Sequence, residues 1–240
     1  SSNGIGEAAA LLFAKYGSKV VITGRDVDKA KDVSRRCEEI SPYKYKNLLL
    51  PGEISNESYR AELIQKTLQF YGRIDVLVNN AGLALLASIL SDEFVDTYNK
   101  VMDVNLRAPV MLSKLVLPHL IETKGCIINI SSTASQRPSI DNNLPYHLTK
   151  AGMDVLTKEL AREFGSKGVR VVTVNPAWVR TTIHLKANMT DEVYDMAKDY
   201  PLQRPGNPEE VASVICFLAS SGASFITGSS VFVDGGYLTI

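Results

Sequence analysis

Short apolar runs alternate with longer helical stretches along this chain, and this alternation is the strongest constraint on its fold. The runs cover residues 19–23, 48–50, 74–78, 126–130, 169–174 and 231–233. Runs this short and this rich in valine, isoleucine and leucine are typical of strands buried on both faces of a parallel sheet. Helical patterning covers residues 7–16, 26–40, 57–71, 91–122, 146–164 and 208–218. We therefore expect an α/β fold in three layers, with a doubly wound parallel sheet between two layers of helices.

Charge and composition exclude several functions. Lys+Arg and Asp+Glu number 26 each, so no overall charge attracts the chain to nucleic acid or to an anionic membrane. No apolar run approaches the roughly 20 residues that span a bilayer. Three cysteines and three histidines are scattered without ligand spacing, so we assign no metal and expect inert thiols in a reducing compartment. We expect a cytoplasmic protein, or one whose organelle-targeting segment lies upstream of Ser1.

A tyrosine and a lysine stand four residues apart where the 146–164 helix begins. Tyr146 and Lys150 share one helical face. A cation beside a phenol favours the phenolate and lowers the phenol pKa, which makes proton transfer possible. Ser132 follows the 126–130 strand and would bring a hydroxyl close to this pair. Ser131 and Thr133 are alternatives for that hydroxyl, although strand alternation points Ser131 to the opposite side.

Small residues surround two predicted turns at the carboxyl edge of the sheet. Gly4 and Gly6 lead into the first helix, whose N-terminus would attract a pyrophosphate. Residues 79–82, Asn-Asn-Ala-Gly, follow the 74–78 strand and would let a ligand approach the backbone closely. Both features predict a dinucleotide site.

These motifs together resemble the short-chain dehydrogenase/reductase family, in particular its 3-oxoacyl-[acyl-carrier-protein] reductases. The matching pieces stand in the family's order at residues 4–6, 79–82, 105, 129–132, 146 with 150, 175–176 and 233–236. The resemblance implies a single Rossmann-like oxidoreductase domain over residues 1–240, with hydride transfer between a nicotinamide cofactor and a carbonyl or secondary alcohol. It implies that Tyr146 exchanges the proton, Ser132 orients the oxygen, Lys150 tunes Tyr146 and holds the ribose, and the Asn105 carbonyl holds a water.

The resemblance also implies a set of cofactor contacts. They are Ser2, Asn3, Gly4, Ile5, Gly6, Arg25, Glu53, Ile54, Asn80, Ala81, Gly82, Asn105, Tyr146, Lys150, Pro176, Val179 and Thr181. The sequence departs from the family at Glu53, where aspartate is usual, and at Ala177, where glycine is usual.

The family motif at the first turn begins earlier than this sequence does. Its threonine and first glycine are absent here, and so is the strand that precedes them. In the family, that strand lies between those matching residues 19–23 and 75–79. We expect unpaired edges on both neighbours, and we expect the chain to be part of a longer natural one.

The residue that ends the second family strand indicates the cofactor. A carboxylate there would accept the ribose 2′-OH, whereas a guanidinium can bind a 2′-phosphate. Here Gly24 is followed by Arg25, and Asp26 is the first carboxylate. NADP(H) is therefore favoured over NAD(H). The alternative is a solvated Arg25 at the start of the next helix, and Asn3, where NADP(H)-using relatives often carry a basic residue, weakens the prediction slightly.

Other functions and features remain as expectations. An NAD-dependent dehydrogenase of a sterol or sugar alcohol is one alternative, and a cofactor-binding scaffold without catalysis is another. The helices at 91–122 and 146–164 have more apolar residues than one sheet face can cover, and the family resemblance implies that they pack against a second copy, in a tetramer or a dimer. Burial of this face within a monomer is the alternative. Residues 182–200 are suited to a mobile substrate lid. The substrate itself, a small carbonyl or alcohol, is not indicated by the sequence.

Overall fold

The computed structural model describes residues 2–240, so Ser1 lies outside the described residues. The helices are α1 (Gly4–Lys15), α2 (Val27–Ile40), α3 (Glu57–Tyr71), α4 (Phe94–Met102), α5 (Ala108–Thr123), α6 (Leu144–Phe164) and α7 (Pro208–Ala219). The strands are β1 (Val21–Ile22), β2 (Leu48–Leu49), β3 (Val76–Asn79), β4 (Cys126–Ile130), β5 (Arg170–Pro176) and β6 (Ser230–Val233). Every pairing among them is parallel. The α/β fold with a parallel sheet is therefore confirmed.

Side-chain alternation along the central strands builds the two faces of the core. Ile128 of β4 and Val172 of β5 pack with α1 and α7 on one face. Ile127 and Val171 pack with α3, α5 and α6 on the other face. Because each strand sends successive side chains to opposite sides, both faces must be apolar. This explains why most residues of these strands are apolar.

The sheet has a gap between β1 and β3. β1 pairs only with β2, whereas β3, β4, β5 and β6 form a separate four-stranded sheet. Within residues 2–240, neither β1 nor β3 has a strand partner on its other edge. Residues of both edges, among them Val20, Val21, Leu77 and Val78, line a common cavity. The expected unpaired edges are therefore present.

The long helical stretch at residues 91–122 is divided by a change of helix type. A π-helical turn, Asp103–Arg107, separates α4 from α5. Pro109 lies in the first turn of α5, directly after the π turn, and Pro118 lies inside α5. Single π turns occur often at functional sites, and this one contains Asn105.

The three cysteines have low reactivity at neutral pH. Cys37, Cys126 and Cys216 are buried free thiols, and burial raises the pKa of each to about 11. Such thiols are poor nucleophiles at neutral pH. In the described part of the chain, no helix has the length and apolar character needed to cross a membrane.

The gap predicts how the chain responds to an added strand. Ser2 lies beside Gly24, just beyond β1, since a Cβ on Gly24 would come 2.3 Å from the Ser2 Oγ. A segment fused ahead of Ser1 would thus run through the gap parallel to β1 and β3, and its last residue would lie at the carboxyl edge of the sheet. We expect a fused segment of about five valines and isoleucines to raise Tm by roughly 5 °C or more, as measured by calorimetry. A glycine-serine segment of equal length is the control, and equal Tm values for the two fusions would contradict the prediction.

Candidate active site

A single cavity at the carboxyl edge of the sheet gathers nearly all the residues that the sequence predicts. Its volume of about 900 Å³ includes the gap between β1 and β3, with which it is continuous. It is lined by Ser2, Asn3, Gly4, Ile5, Gly6, Arg25, Glu53, Ile54, Asn80, Ala81, Gly82, Ser132, Tyr146, Lys150, Pro176, Val179 and Thr181. Asn105 is not on this surface, because it lies behind Gly82 and Leu83.

Tyr146 and Ser132 meet inside the cavity. Tyr146 is in the first turns of α6, and Ser132 follows β4 as the N-cap of a short 3₁₀ turn, where its Oγ accepts a hydrogen bond from the Ala134 N–H at 3.1 Å. Burial raises the pKa of Tyr146 to about 12, and a hydrogen bond with Ser132 lowers it in part. The lowered pKa predicted from the sequence is therefore wrong for the free protein. The phenol is a proton donor at neutral pH.

The ammonium of Lys150 is buried beside the phenol. Its Nζ lies 5.3 Å from the centroid of the Tyr146 ring and donates to the Ile130 carbonyl at 2.7 Å. Burial lowers the pKa of Lys150 to about 8, and the negative charge of Asp154 raises it in part. A lysine whose pKa lies this close to neutral pH can gain or lose its proton under physiological conditions.

The hydroxyl of Ser131 is engaged in a hydrogen bond with α6. Its Oγ is buried and donates to the Lys150 carbonyl at 3.0 Å. The hydroxyl of Ser131 thus anchors α6 to the end of β4. This agrees with the strand alternation that the sequence predicts.

Asn105 holds the loop after β3 through its side chain. Its Oδ1 accepts from the Leu83 N–H at 2.9 Å, and its Nδ2 donates to the Leu83 carbonyl at 2.8 Å. The side chain is 1% exposed. A Cβ on Gly82 would lie 3.7 Å from Asn105 Oδ1 and 3.9 Å from Lys150 Nζ. The π turn therefore places Asn105 directly behind Gly82, on which the Lys150 side chain also borders.

The glycine-rich turn and the loop after β5 form one wall of the cavity. Gly4 starts α1 with φ of +54°, and a Cβ there would come 2.9 Å from Thr181 Cγ2. Asn3 Nδ2 donates to Thr182 Oγ1 at 2.5 Å. The unpaired N–H groups at the start of α1 face a site that suits an anionic group.

Arg25 and Glu53 lie together where β1 and β2 end. Arg25 Nη1 is 3.5 Å from Glu53 Oε2, and the two side chains are 53% and 42% exposed. Arg25 is thus partly solvated, as the alternative interpretation of its sequence position predicts, and it also lines the cavity. Its pairing with Glu53 was not foreseen from the sequence.

A buried polar network behind α6 was also missed. Asn175 Nδ2 lies within hydrogen-bond distance of Asp154 Oδ1 at 3.1 Å, the Ser132 carbonyl at 3.2 Å and Ser135 Oγ at 3.2 Å. Gln136 Nε2 donates to Asp154 Oδ2 at 3.3 Å. Asp154 follows Lys150 by one helical turn, and this i,i+4 spacing of opposite charges was the available signal.

The predicted lid is built from 3₁₀ turns. His184 is 1% exposed, and its Nε2 lies 2.8 Å from Asp191 Oδ1. Tyr194 Oη accepts from the Thr181 N–H at 2.9 Å and donates to the Thr181 carbonyl at 2.7 Å. One tyrosine therefore joins residues 191–199 to the wall of the cavity.

The chain is similar to characterised oxidoreductases. A family model described as enoyl-(acyl carrier protein) reductase matches residues 1–238. The meso-2,3-butanediol dehydrogenase of Serratia marcescens is 36% identical over 98% of this chain and 91% of that protein. The 3-oxoacyl-[acyl-carrier-protein] reductase of Thermotoga maritima is 34% identical over 98% of this chain and 94% of that protein. A short-chain dehydrogenase/reductase of unknown function from Caenorhabditis elegans, crystallised with cofactor, has a TM-score of 0.90 and 33% identity, covering 100% of this chain and 93% of that one.

The parallel sheet, the cavity at its carboxyl edge and these relatives define an oxidoreductase that uses a nicotinamide dinucleotide and acts on CH–OH or C=O groups. The chain belongs to the short-chain dehydrogenase/reductase family. The family resemblance noted in the sequence is confirmed.

Replacing Asn105 tests its structural contribution without a measurement of activity. Asn105→Ala leaves the Leu83 N–H and carbonyl buried without their partners, which costs about 1–3 kcal/mol for each group. We expect the free energy of unfolding, measured in urea, to fall by roughly 2–4 kcal/mol. The exposed Asn99 of α4 provides the control, since Asn99→Ala should change it by about 0.5 kcal/mol or less. Equal losses in the two variants would refute the role assigned to the Asn105 side chain.

Proposed function

We propose that this chain transfers a hydride between NADP(H) and a carbonyl or secondary alcohol, with Ser132, Tyr146, Lys150 and Asn105 as its catalytic set. The observation that carries the proposal is the meeting of the Ser132 hydroxyl, the Tyr146 phenol and the Lys150 ammonium in one cavity. The same cavity contains the glycine-rich turn at the start of α1.

The residues of the cavity fit a dinucleotide. Gly82 leaves room beside the backbone that a side chain would fill, Gly4 lets the turn pack closely against Thr181, and the start of α1 suits a diphosphate. Val179, Thr181 and Lys150 would hold the nicotinamide half, and Asn80 and Ala81 the adjoining ribose. Glu53 and Ile54 would contact the adenine. When bound, the cofactor supplies or accepts the hydride.

The protein would supply the proton and stabilise the changing charge on oxygen. In reduction, the Tyr146 Oη donates its proton to the substrate oxygen, while the Ser132 hydroxyl donates a hydrogen bond to the same atom. The Lys150 ammonium stabilises the phenolate that remains. Asn105 holds the loop behind Gly82 and, through its carbonyl, a water that returns a proton toward Lys150. The raised pKa of free Tyr146 favours the protonated phenol needed for reduction.

Arg25 supports the preference for NADP(H), because its guanidinium faces the cavity where a 2′-phosphate would lie. Glu53 supports the alternative of an NAD-dependent alcohol dehydrogenase, since its carboxylate stands 3.5 Å from that guanidinium. A scaffold without catalysis has no need for a buried lysine, a phenol and a hydroxyl in contact. The butanediol dehydrogenase and 3-oxoacyl reductase relatives make vicinal diols and 3-oxoacyl thioesters the first substrates to screen.

A homo-oligomer, a dimer or tetramer in the cytoplasm, completes the proposal. Val95 of α4 is 64% exposed, and Leu148 and Val155 of α6 are 46% and 59% exposed. Apolar side chains on these neighbouring helices suit burial against a second copy. Light scattering would contradict this if it gave the 26.3 kDa mass of one chain.

Removing the phenol hydroxyl tests the proton donor. Tyr146→Phe is expected to lower kcat for ketone reduction by about 100-fold or more, because it removes the group that gives its proton to the substrate oxygen in the proposed step. NADPH binding, followed by fluorescence titration, should change little. The exposed Tyr16 gives a matched control in Tyr16→Phe, which should retain full turnover. Retained turnover in Tyr146→Phe would refute the assignment.

The pKa values predict the pH dependence of reduction. Tyr146, with a pKa of about 12, stays protonated at neutral pH, whereas Lys150 loses its charge above its pKa of about 8. We therefore expect kcat/KM to be level below pH 8 and to fall above it. Lys150→Arg, which keeps the cation, should move this fall to higher pH even if the rate is lower. A fall at the same pH in both proteins would show that another group titrates.

A further inference from the structure

The ends of β1 and β2 place two opposite charges at the adenosine end of the cavity. The Gly52 N–H donates to the Gly24 carbonyl at 3.0 Å, which continues the pairing of the two strands beyond their last residues. Arg25 and Glu53 follow these glycines directly and lie side by side. Their proximity is set by the backbone of the sheet as well as by side-chain conformation.

The carboxylate of Glu53 is held on both of its oxygens. Oε2 faces Arg25 at 3.5 Å, and Oε1 accepts from Ser55 Oγ at 3.3 Å. The neighbouring Asp26 is engaged elsewhere, because it caps α2 by accepting from the Lys29 N–H at 3.1 Å and lies 3.6 Å from Lys29 Nζ. Glu53 is therefore the carboxylate positioned to act on ligands of Arg25.

We propose that Glu53 is a specificity-determining residue that competes with a 2′-phosphate for Arg25, so that the pair sets the cofactor preference. This inference rests on the proposed function. A dinucleotide with a free 2′-OH leaves the Arg25–Glu53 pair in place and requires no movement of either side chain. A 2′-phosphate must draw Arg25 away from Glu53, and it then lies close to a charge of its own sign.

The extra methylene of glutamate makes this competition possible. The sequence departs from the family here by carrying Glu53 in place of the usual aspartate, and the longer side chain reaches the guanidinium. Because both side chains are half exposed, the interaction is screened by salt and has a modest strength. Arg25 alone would thus predict a stronger preference for the 2′-phosphate than the pair allows.

Two adenosine fragments test the proposal without any turnover. Calorimetric titration of the full chain with adenosine 2′,5′-bisphosphate and with adenosine 5′-monophosphate separates the 2′-phosphate from the rest of the cofactor. For Glu53→Gln we expect the affinity for the bisphosphate, relative to that for the monophosphate, to rise about three- to tenfold. The ratio cancels any change in the adenine contact of Glu53, which both fragments share. The gain should shrink as salt is raised. Arg25→Gln should weaken the bisphosphate alone, by about tenfold.

A remote charge change is the matched control. Glu39→Gln removes the same charge from the far end of α2, roughly 18 Å along the helix, where Glu39 pairs with Arg35. It should leave both fragments unaffected. An unchanged ratio of the two affinities in Glu53→Gln, or an equal gain in Glu39→Gln, would overturn the proposal. If neither fragment binds, or if NADPH does not displace them, the dinucleotide site of the proposed function is what fails.

Discussion

The active site depends on the buried contact between α6 and the end of β4. Lys150 donates from its side chain to the Ile130 carbonyl at 2.7 Å, and Ser131 donates from its side chain to the Lys150 carbonyl at 3.0 Å. These two bonds run in opposite directions between the same helix and the same strand. They fix the rotation of α6, and so they decide that Tyr146 faces Ser132. Since each of these groups is buried, breaking either bond would leave a polar atom without a partner.

The gap between β1 and β3 leaves the pairing of the other strands intact. β3, β4, β5 and β6 remain paired in register, and they carry Asn80, Ser132 and Pro176 at their carboxyl ends. β1 and β2 carry only the residues expected at the adenosine end. The gap therefore lies between the part of the site suited to chemistry and the part suited to cofactor selection. Whatever fills it would fix the distance between these two parts.

The sequence predicts the main strands because a strand that is buried on both faces of the sheet is a short, mostly apolar run. The runs at 126–130 and 169–174 are buried strands, and Tyr146 and Lys150 share a helical face as predicted. The π turn at Asn105 could not be predicted from composition, because it reflects how α4 and α5 pack. The Tyr146 pKa also depends on tertiary burial, which outweighs the effect of a neighbouring cation that the spacing suggested. The Arg25–Glu53 pair joins residues far apart in sequence, and only the pairing of β1 with β2 brings them together.

The contact between Gly24 and Ser2 limits how this enzyme's cofactor preference can evolve. An acidic residue at the end of the strand is one route toward a free 2′-OH. At position 24 that route requires Ser2 to move, because a Cβ there would meet the Ser2 Oγ beside the turn that is suited to a diphosphate. Changes at positions 25 and 53 carry no such requirement, because both side chains line the cavity and are about half exposed. Selection for the other dinucleotide is therefore expected to change residues 25 and 53 and to retain Gly24.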